Sequence, residues 1–371
     1  MSRFRFELAG PQDDAELRAL LAATPMPGAI SVGFRREPSF FDAGAVDGRF
    51  RQVVAARDSA SGTIVGMGTR SVSPRFVNGS PQPIGYLSGL RVRPKYRNLG
   101  LVARGYALLK QLHADGRTPL YLTTIADDNH RALELLTSGR ASLPRYYPLG
   151  AYHTLAFSLR RRSTPPKSPL GVEIRPATDR DLPAIMAFLA ETGPSRQFFP
   201  CLDANDFGTA SGLYRCLVLS KVLLAVRGGR IVGTLGVWDQ RSFRQMIVAG
   251  YHRGLALARP AINLWSRLCG GPHLPRPHEP LPYVLGALPT VADDDPQTFQ
   301  SLVDAALDKA AASDATHLLL GLHGDDPLLA SLGSRRVRRY VTRLFAVGWE
   351  DGDQVRSCLD GRSPYLELGS L

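Results

Sequence analysis

Residues 91–103 of this 371-residue chain read RVRPKYRNLGLVA. Arg91, Arg93, Lys95 and Arg97 precede Gly100, and an apolar run follows. Tyr86 to Val92 has the composition of a strand, which Pro94 and the polar residues beyond it end. Asn98, Leu99 and Gly100 make a turn, and Leu101, Leu108, Leu109 and Leu112 then keep helical spacing. The first amides of a helix have no carbonyl partners and sit at the positive end of its dipole. Amides around a glycine-containing turn can cup phosphate oxygens. Gly100 lets an anion reach the backbone with no Cβ in the way. The chemistry expected of this stretch is therefore a pyrophosphate grip between a strand and a helix. It is neither a Walker loop, which needs GK[ST], nor a dinucleotide fingerprint, which needs three glycines.

The elements that must position this turn are repeated in outline along the chain. FELAGPQDDAELRALLAATP near the start and VEIRPATDRDLPAIMAFLAETGP after residue 170 both read strand, polar turn, helix, with Asp14 and Asp179 as expected N-caps. VVAARDSASGTIVGMG matches LLAVRGGRIVGTLG as a hairpin, and YLSGLRV (86–92) matches YVLGALP (283–289). YHTLAF and YVTRLF close the two units. The basic, proline-rich RRRSTPPKSP between them reads as a linker. The expected organisation is a first domain over 1–160, a linker over 161–170, a second domain over 171–350 and a C-terminal tail over 351–371. The second domain carries an insertion over about 240–282 by pattern.

The order of elements, with Leu90, Val92, Pro94, Tyr96, Arg97 and Gly100 in the spacing L-x-V-x-P-x-Y-R-x-x-G, resembles the GNAT acyltransferase superfamily. The resemblance spans residues 5–158, and 172–348 by topology only. It implies an α+β fold of two tandem GNAT-like domains, each a mixed, mostly antiparallel sheet flanked by helices. It implies acetyl-CoA, or another acyl-CoA, as donor and the primary amine of a small molecule or peptide as acceptor. Leu90, Arg91 and Val92 would run beside the pantetheine arm. Arg97, Asn98, Leu99, Gly100, Leu101, Val102 and Ala103 would hold the pyrophosphate. Thr124 and Asn129 would form the facing wall.

Two positions depart from the family pattern. Val102 stands where a glycine or alanine is usual, and Leu136 stands where a tyrosine usually protonates the leaving thiolate. Tyr146 and Tyr147 are candidate substitutes for that acid. Glu37 is a candidate to contact or deprotonate the acceptor, and Tyr86 to serve a water-mediated proton route. In the second unit the counterpart of the basic turn is PTVADDDPQTF. Asp293, Asp294 and Asp295 would repel a pyrophosphate, so one donor site per chain is expected, in the first half.

Composition sets the remaining expectations. Net charge is +12, of which residues 1–160 carry +9 (21 Lys/Arg against 12 Asp/Glu). A basic half suits an anionic ligand. Two other function classes accommodate that charge. A non-catalytic acyl-CoA sensor would fit Leu136, and an aminoacyl-tRNA-dependent transferase would fit the paired units, though the donor cradle counts against it. The RRVRR cluster at 335–339 has no aromatic platform beside it, so no nucleic-acid partner is expected. Cys269, His273 and His278 lack a fourth ligand, and no metal is expected. There is no leader-like segment and no apolar run of transmembrane length, which points to a cytoplasmic location. The apolar, basic insertion over 240–282 is a candidate for peripheral contact with a membrane surface.

Overall fold

The computed structural model describes residues 3–140, 143–159, 169–269, 273–333, 335 and 337–371. Of the expected linker, only residues 169 and 170 fall within them. The first half runs β1 (Phe4–Leu8), α1 (Asp14–Ala22), β2 (Ile30–Arg35), α2 (Phe40–Ala43), β3 (Phe50–Asp58), β4 (Ile64–Val77), β5 (Ser80–Val92), α3 (Leu101–His113), β6 (Tyr121–Ala126), α4 (His130–Leu136) and β7 (Arg145–Ser158). The second half runs β8 (Val172–Pro176), α5 (Leu182–Thr192), β9 (Val222–Arg227), β10 (Arg230–Trp238), β11 (Gln245–Tyr251), α6 (Arg253–Cys269), β12 (Tyr283–Val291), α7 (Pro296–Ala311), β13 (His317–His323), α8 (Pro327–Ala330) and β14 (Arg338–Gly348), followed by α9 (Gly352–Ser357). The expected repeat and α+β class are what the chain adopts.

Local chemistry explains the boundaries. The β4–β5 hairpin closes from Val77↔Ser80 through Asn78 and Gly79, both at positive φ. Helix α1 buries Leu17, Leu20 and Leu21 against Val53, Ala55, Ile64 and Met67. Its N-cap is Asp13, one residue before the expected Asp14. Asp14 instead accepts from the Phe40 amide at 2.7 Å and anchors α2. In the second half a capping box of Thr178 and Asp181 starts the equivalent segment, in place of Asp179.

The two halves are not separate sheets. Twelve strands form one sheet in the order β1-β3-β4-β5-β6-β14-β7-β13-β12-β10-β9-β8. The last strand of each half is inserted into the other. β14 lies between β6 and β7, and β7 lies between β14 and β13, all antiparallel. The sheet boundary therefore does not follow the chain boundary near residue 160. A second, two-stranded sheet joins β2 to β11 antiparallel, so the insertion of the second half clasps the first. Residues 351–371 also run inward: Tyr365, Leu366 and Glu367 are buried, which a peripheral tail would not be. The largest core cluster packs α7 on β9, β10, β12 and β13, and further clusters fill the junction and the space under α1, α3 and α4.

Candidate active site

Strand β5 pairs with β6 in parallel only at Gly85↔Tyr121 and Tyr86↔Leu122. Beyond that the two strands diverge, while β5 stays paired to β4 as far as Gly66↔Val92. A slot results, with Leu87 to Val92 on one side and Thr123 to Ala126 on the other. Side chains bridge its root. Thr123 Oγ1 donates to the Leu87 carbonyl at 2.7 Å, and the Tyr86 hydroxyl meets Thr124 Oγ1 at 2.9 Å. A bulge falls between the pairs Met67↔Arg91 and Thr69↔Ser88 and puts Gly89 at φ 63°. A side chain there is disfavoured, which explains the glycine.

The slot leads to the basic turn. Residues 97–100 are exposed, with Asn98 and Gly100 both at positive φ. Gly100 is the N-cap of α3, no side chain caps that end, and a Cβ built on Gly100 would meet nothing within 4 Å. The first turn bond is from the Arg104 amide to the Gly100 carbonyl, so the amides of residues 101–103 have no acceptor within the helix. Val102 turns its branched side chain inward against the cluster of Leu87, Tyr106 and Leu109, leaving the outer surface of the turn clear. Asn98 is held by Arg131. Asn129 spends its side-chain oxygen on the Ala132 amide as the N-cap of α4, so its amide group is what remains for a ligand.

The four expected proton-transfer residues part company. Tyr146 sits in one cluster with Leu136, Leu133 and Tyr106, its hydroxyl against that of Tyr106. Burial raises the pKa of Tyr146, and burial pushes that of Tyr106 up to about 12, so both phenols hold their protons. Tyr147, on the opposite face of the same strand, donates to Asp353 at 2.6 Å with Arg356 over its ring. It anchors α9 and is removed from the slot. Glu37 is engaged by Arg18, and Gln245 of β11 brackets its backbone at 3.2 and 3.1 Å. It is a clasp between halves, with no lone carboxylate for a base. Burial pushes Tyr86 up to about 12, against the opposing bond to Thr124, so Tyr86 is a bridge across the slot and no base.

A cavity of about 420 Å³ lies between α2 and the edge of β3, lined in part by Arg36, Asp47, Arg51, Gln52 and Thr69. The Thr69 hydroxyl lies 3.4 Å from where a Cβ would sit on Gly89, so the cavity borders the bulge of the slot. Asp47 is buried; burial alone would raise its pKa, but the guanidiniums of Arg244 and Arg36 outweigh that and hold it below the usual range. Burial lowers the pKa of Arg51, which donates to the Phe41 carbonyl at 2.8 Å. Burial, with Arg36 nearby, also lowers that of Arg91, whose Nη1 folds back to the Leu90 carbonyl at 3.0 Å. This arginine-rich pocket was not among the expected residues. Its signal in the sequence was the FRREP and GRFR runs at 34–38 and 48–51.

The second half closes what the first leaves open. The hairpin pairs Gly66↔Val92 and Gly233↔Val291 set Val92 against Val291, two residues away from the register that aligning Tyr86 with Tyr283 implies. Eight positions separate Val92 from Gly100, but only four separate Val291 from the α7 N-cap, Asp295. Asp295 caps its own helix, accepting from the Gln297 amide at 3.0 Å and the Thr298 hydroxyl at 2.6 Å. Asp294 is paired with Arg196. In the same register Leu288, at φ 52°, takes the place of Gly89. Its amide donates to the buried carboxylate of Glu367 at 2.9 Å, which also accepts from Tyr214 and Tyr365.

Residues 20–139 match the acetyltransferase (GNAT) family. This stretch holds the slot, the turn and Leu136. The first half carries a GNAT acetyltransferase domain. Solved structures extend the likeness of fold to the whole GNAT-like chain. A GCN5-related N-acetyltransferase from Sphaerobacter thermophilus aligns with TM-score 0.53 at 14% identity, over 100% of this chain and 99% of its own. The GCN5-related glucosamine N-acetyltransferase region of a fungal GH3 beta-N-acetylglucosaminidase aligns at 0.61 and 13%, over 93% of this chain and 38% of its own. N-myristoyltransferase of Saccharomyces cerevisiae, with bound myristoyl-CoA, aligns at 0.58 and 10%, over 94% and 79%. No curated protein matches the chain in sequence. An acyltransferase domain of the GNAT type thus lies within the first half.

Proposed function

We propose that the first half transfers an acyl group from acyl-CoA, acetyl-CoA among the candidates, to a primary amine held in the cavity beside Thr69. The asymmetry between the two helix ends carries this reading. The α3 end is uncapped, exposed and flanked by Arg97 and Lys95, whereas a carboxylate already occupies the α7 end. Leu101, Val102 and Ala103 supply amides to the pyrophosphate, and Arg97 supplies charge. Leu90 to Val92 and Thr124 flank the pantetheine arm in the slot, and Asn129 reaches it with its amide group.

The bond that Glu367 makes in the second half suggests the chemistry of the first. There a carboxylate oxygen takes the amide at the bulge. At Gly89, where no such carboxylate intrudes, the same kind of amide is placed for the thioester oxygen as it becomes an oxyanion. The amine arrives from the cavity side, past Thr69. Attack forms the carbon–nitrogen bond and breaks the carbon–sulfur bond; the nitrogen releases a proton to water, and the departing thiolate takes one, so the donor is reprotonated from solvent. Tyr146, clustered with Leu136 and coupled to Tyr106, is the candidate donor in place of the family tyrosine.

Calorimetric titration with CoA, acetyl-CoA and longer acyl-CoAs tests the donor site. Binding of the intact chain with Kd about 10⁻⁶ to 10⁻⁴ M is expected. Gly100→Glu abolishes it. Gly100→Ala carries the same strain at φ 70° without the charge and retains measurable binding. Unchanged binding in Gly100→Glu would overturn the assigned location. Turnover with a panel of amines then separates an enzyme from a sensor.

A further inference from the structure

Helix α6 is amphipathic the wrong way round for a helix packed in water. Arg259, Asn263 and Ser266 recur at i, i+4 and i+7 and face the protein. Asn263 and Ser266 are buried. Arg259 donates to the Leu274 and Pro275 carbonyls at 3.1 Å, and Asn263 exchanges two bonds with the Leu274 backbone at 3.0 and 2.8 Å. Tyr251 donates to Pro275 at 2.7 Å and completes the tie. The opposite face is apolar and bare. Leu257, Leu264, Trp265 and Leu268 are 84%, 62%, 62% and 79% exposed, and with Ala261 they make one stripe at i, i+4, i+7, i+8 and i+11. The polar bonds fix the helix in this orientation, so the stripe cannot roll inward without breaking them.

Charge says what the stripe meets. From Gln240 to His278 the chain has six arginines, three histidines and no Asp or Glu. Arg253 and Arg267 are exposed at the border of the stripe, and Arg276 is exposed on the segment that returns from the helix. An apolar face edged by arginine and carrying an outward tryptophan is complementary to an anionic bilayer, whose headgroups pair with the cations while the acyl boundary takes the side chains. We infer that α6 lies on an anionic membrane surface and docks the protein there. Because β11, which leads into α6, is paired with β2, the docked face is joined directly to the lobe of Arg36 and α2 that borders the acceptor cavity. No described helix is long and apolar enough to cross a membrane, so this is attachment alongside the bilayer.

The inference stands apart from acyl transfer, and its test needs no substrate. The intact chain is co-sedimented with phosphatidylcholine vesicles, with and without phosphatidylglycerol, while tryptophan emission is recorded. Binding about tenfold or more stronger to the anionic vesicles is expected at low salt, weakening as salt rises. A blue shift accompanies it and is lost in Trp265→Phe, since of the other two tryptophans Trp238 is buried and Trp349 is packed against His113 and Tyr121. Leu264→Glu, at an exposed position, abolishes binding and leaves the circular dichroism unchanged. Equal binding to both vesicle types, or no binding, overturns the inference. So does a dimer in sedimentation equilibrium that Leu264→Glu dissolves, since the stripe would then belong to a second copy.

Discussion

Gly100 and Asp295 hold the same place in two copies of one folding unit: each is the N-cap of the helix that follows the central strand. Gly100 leaves its helix end bare, and Asp295 fills its own. The loop before Asp295 is also four residues shorter, so its copy lacks the backbone that could wrap a phosphate. A carboxylate that satisfies the first turn stabilises the helix and excludes a second anion from it. The two ends therefore answer differently to substitution. Asp295→Ala removes a cap and is expected to cost about 1 kcal/mol of stability, read from the urea midpoint, while acyl-CoA affinity stays as it was. A loss of acyl-CoA binding in Asp295→Ala would place the donor site in the wrong half.

Tyr146 and Tyr147 are adjacent in sequence and face opposite sides of the sheet. Tyr146→Phe is expected to lower kcat by about 10²-fold or more, with the KM for acyl-CoA little changed. Tyr147→Phe removes the bond to Asp353 and is expected to lower stability by about 1 kcal/mol, with kcat preserved. Steady-state kinetics on both variants, beside their melting curves, checks the assignment. Equal kinetics for Tyr146→Phe and the parent protein would remove Tyr146 from proton transfer.

The pattern of residues reveals some of this and hides the rest, for physical reasons. The repeat and the basic turn before α3 are visible because strand alternation, helical spacing and a Gly-containing basic run are local signals. The bulge was not visible in both copies. Gly89 advertises its positive φ, but Leu288 adopts the same conformation with a side chain that gives no warning, so the two strands align two residues out. The interleaving of β7 and β14 is silent too, because an apolar strand reads the same whichever neighbour it takes. Tyr147 and Tyr146 are equivalent in local sequence, and what separates them is Asp353, 206 positions away, against the Tyr147 hydroxyl. Glu37 likewise depends on Arg18 and on Gln245 from the other half.

Asp115 offers a pH test. Its carboxylate is held down to about 2, first by the hydrogen bond from the buried guanidinium of Arg70. In the unfolded chain it titrates near its ordinary 3.8. Between these values the unfolded state binds more protons, so stability rises with pH. The contribution is complete above the unfolded value and is lost as pH falls through about 2. Asp115→Asn is expected to flatten the stability–pH curve in this window and to lower the plateau, because Arg70 keeps only neutral partners such as Tyr121 and Gln52. Urea midpoints measured across the acid range for both proteins check the sign.

The interleaved strands make the halves depend on each other. With the second half removed, β6 loses β14 along the run Thr342↔Ala126 to Val347↔Tyr121, and β7 loses both neighbours. Strands β6 and β7 point the same way and are held apart by the width of β14, roughly 10 Å across two strand spacings. Residues 1–159 alone would thus expose three unpaired edges, one on β6 and two on β7, and with them the apolar side chains of Leu122, Leu155 and Phe157, all buried in the intact chain. Such a fragment is expected to lack a cooperative thermal transition and to aggregate. Mixed during refolding with residues 169–371, it is expected to regain the transition and to elute with its partner as one species. Circular dichroism melting and gel filtration of each piece and of the mixture decide the matter. A sharp, independent transition for residues 1–159 would mean that the first half can close its own sheet without β14.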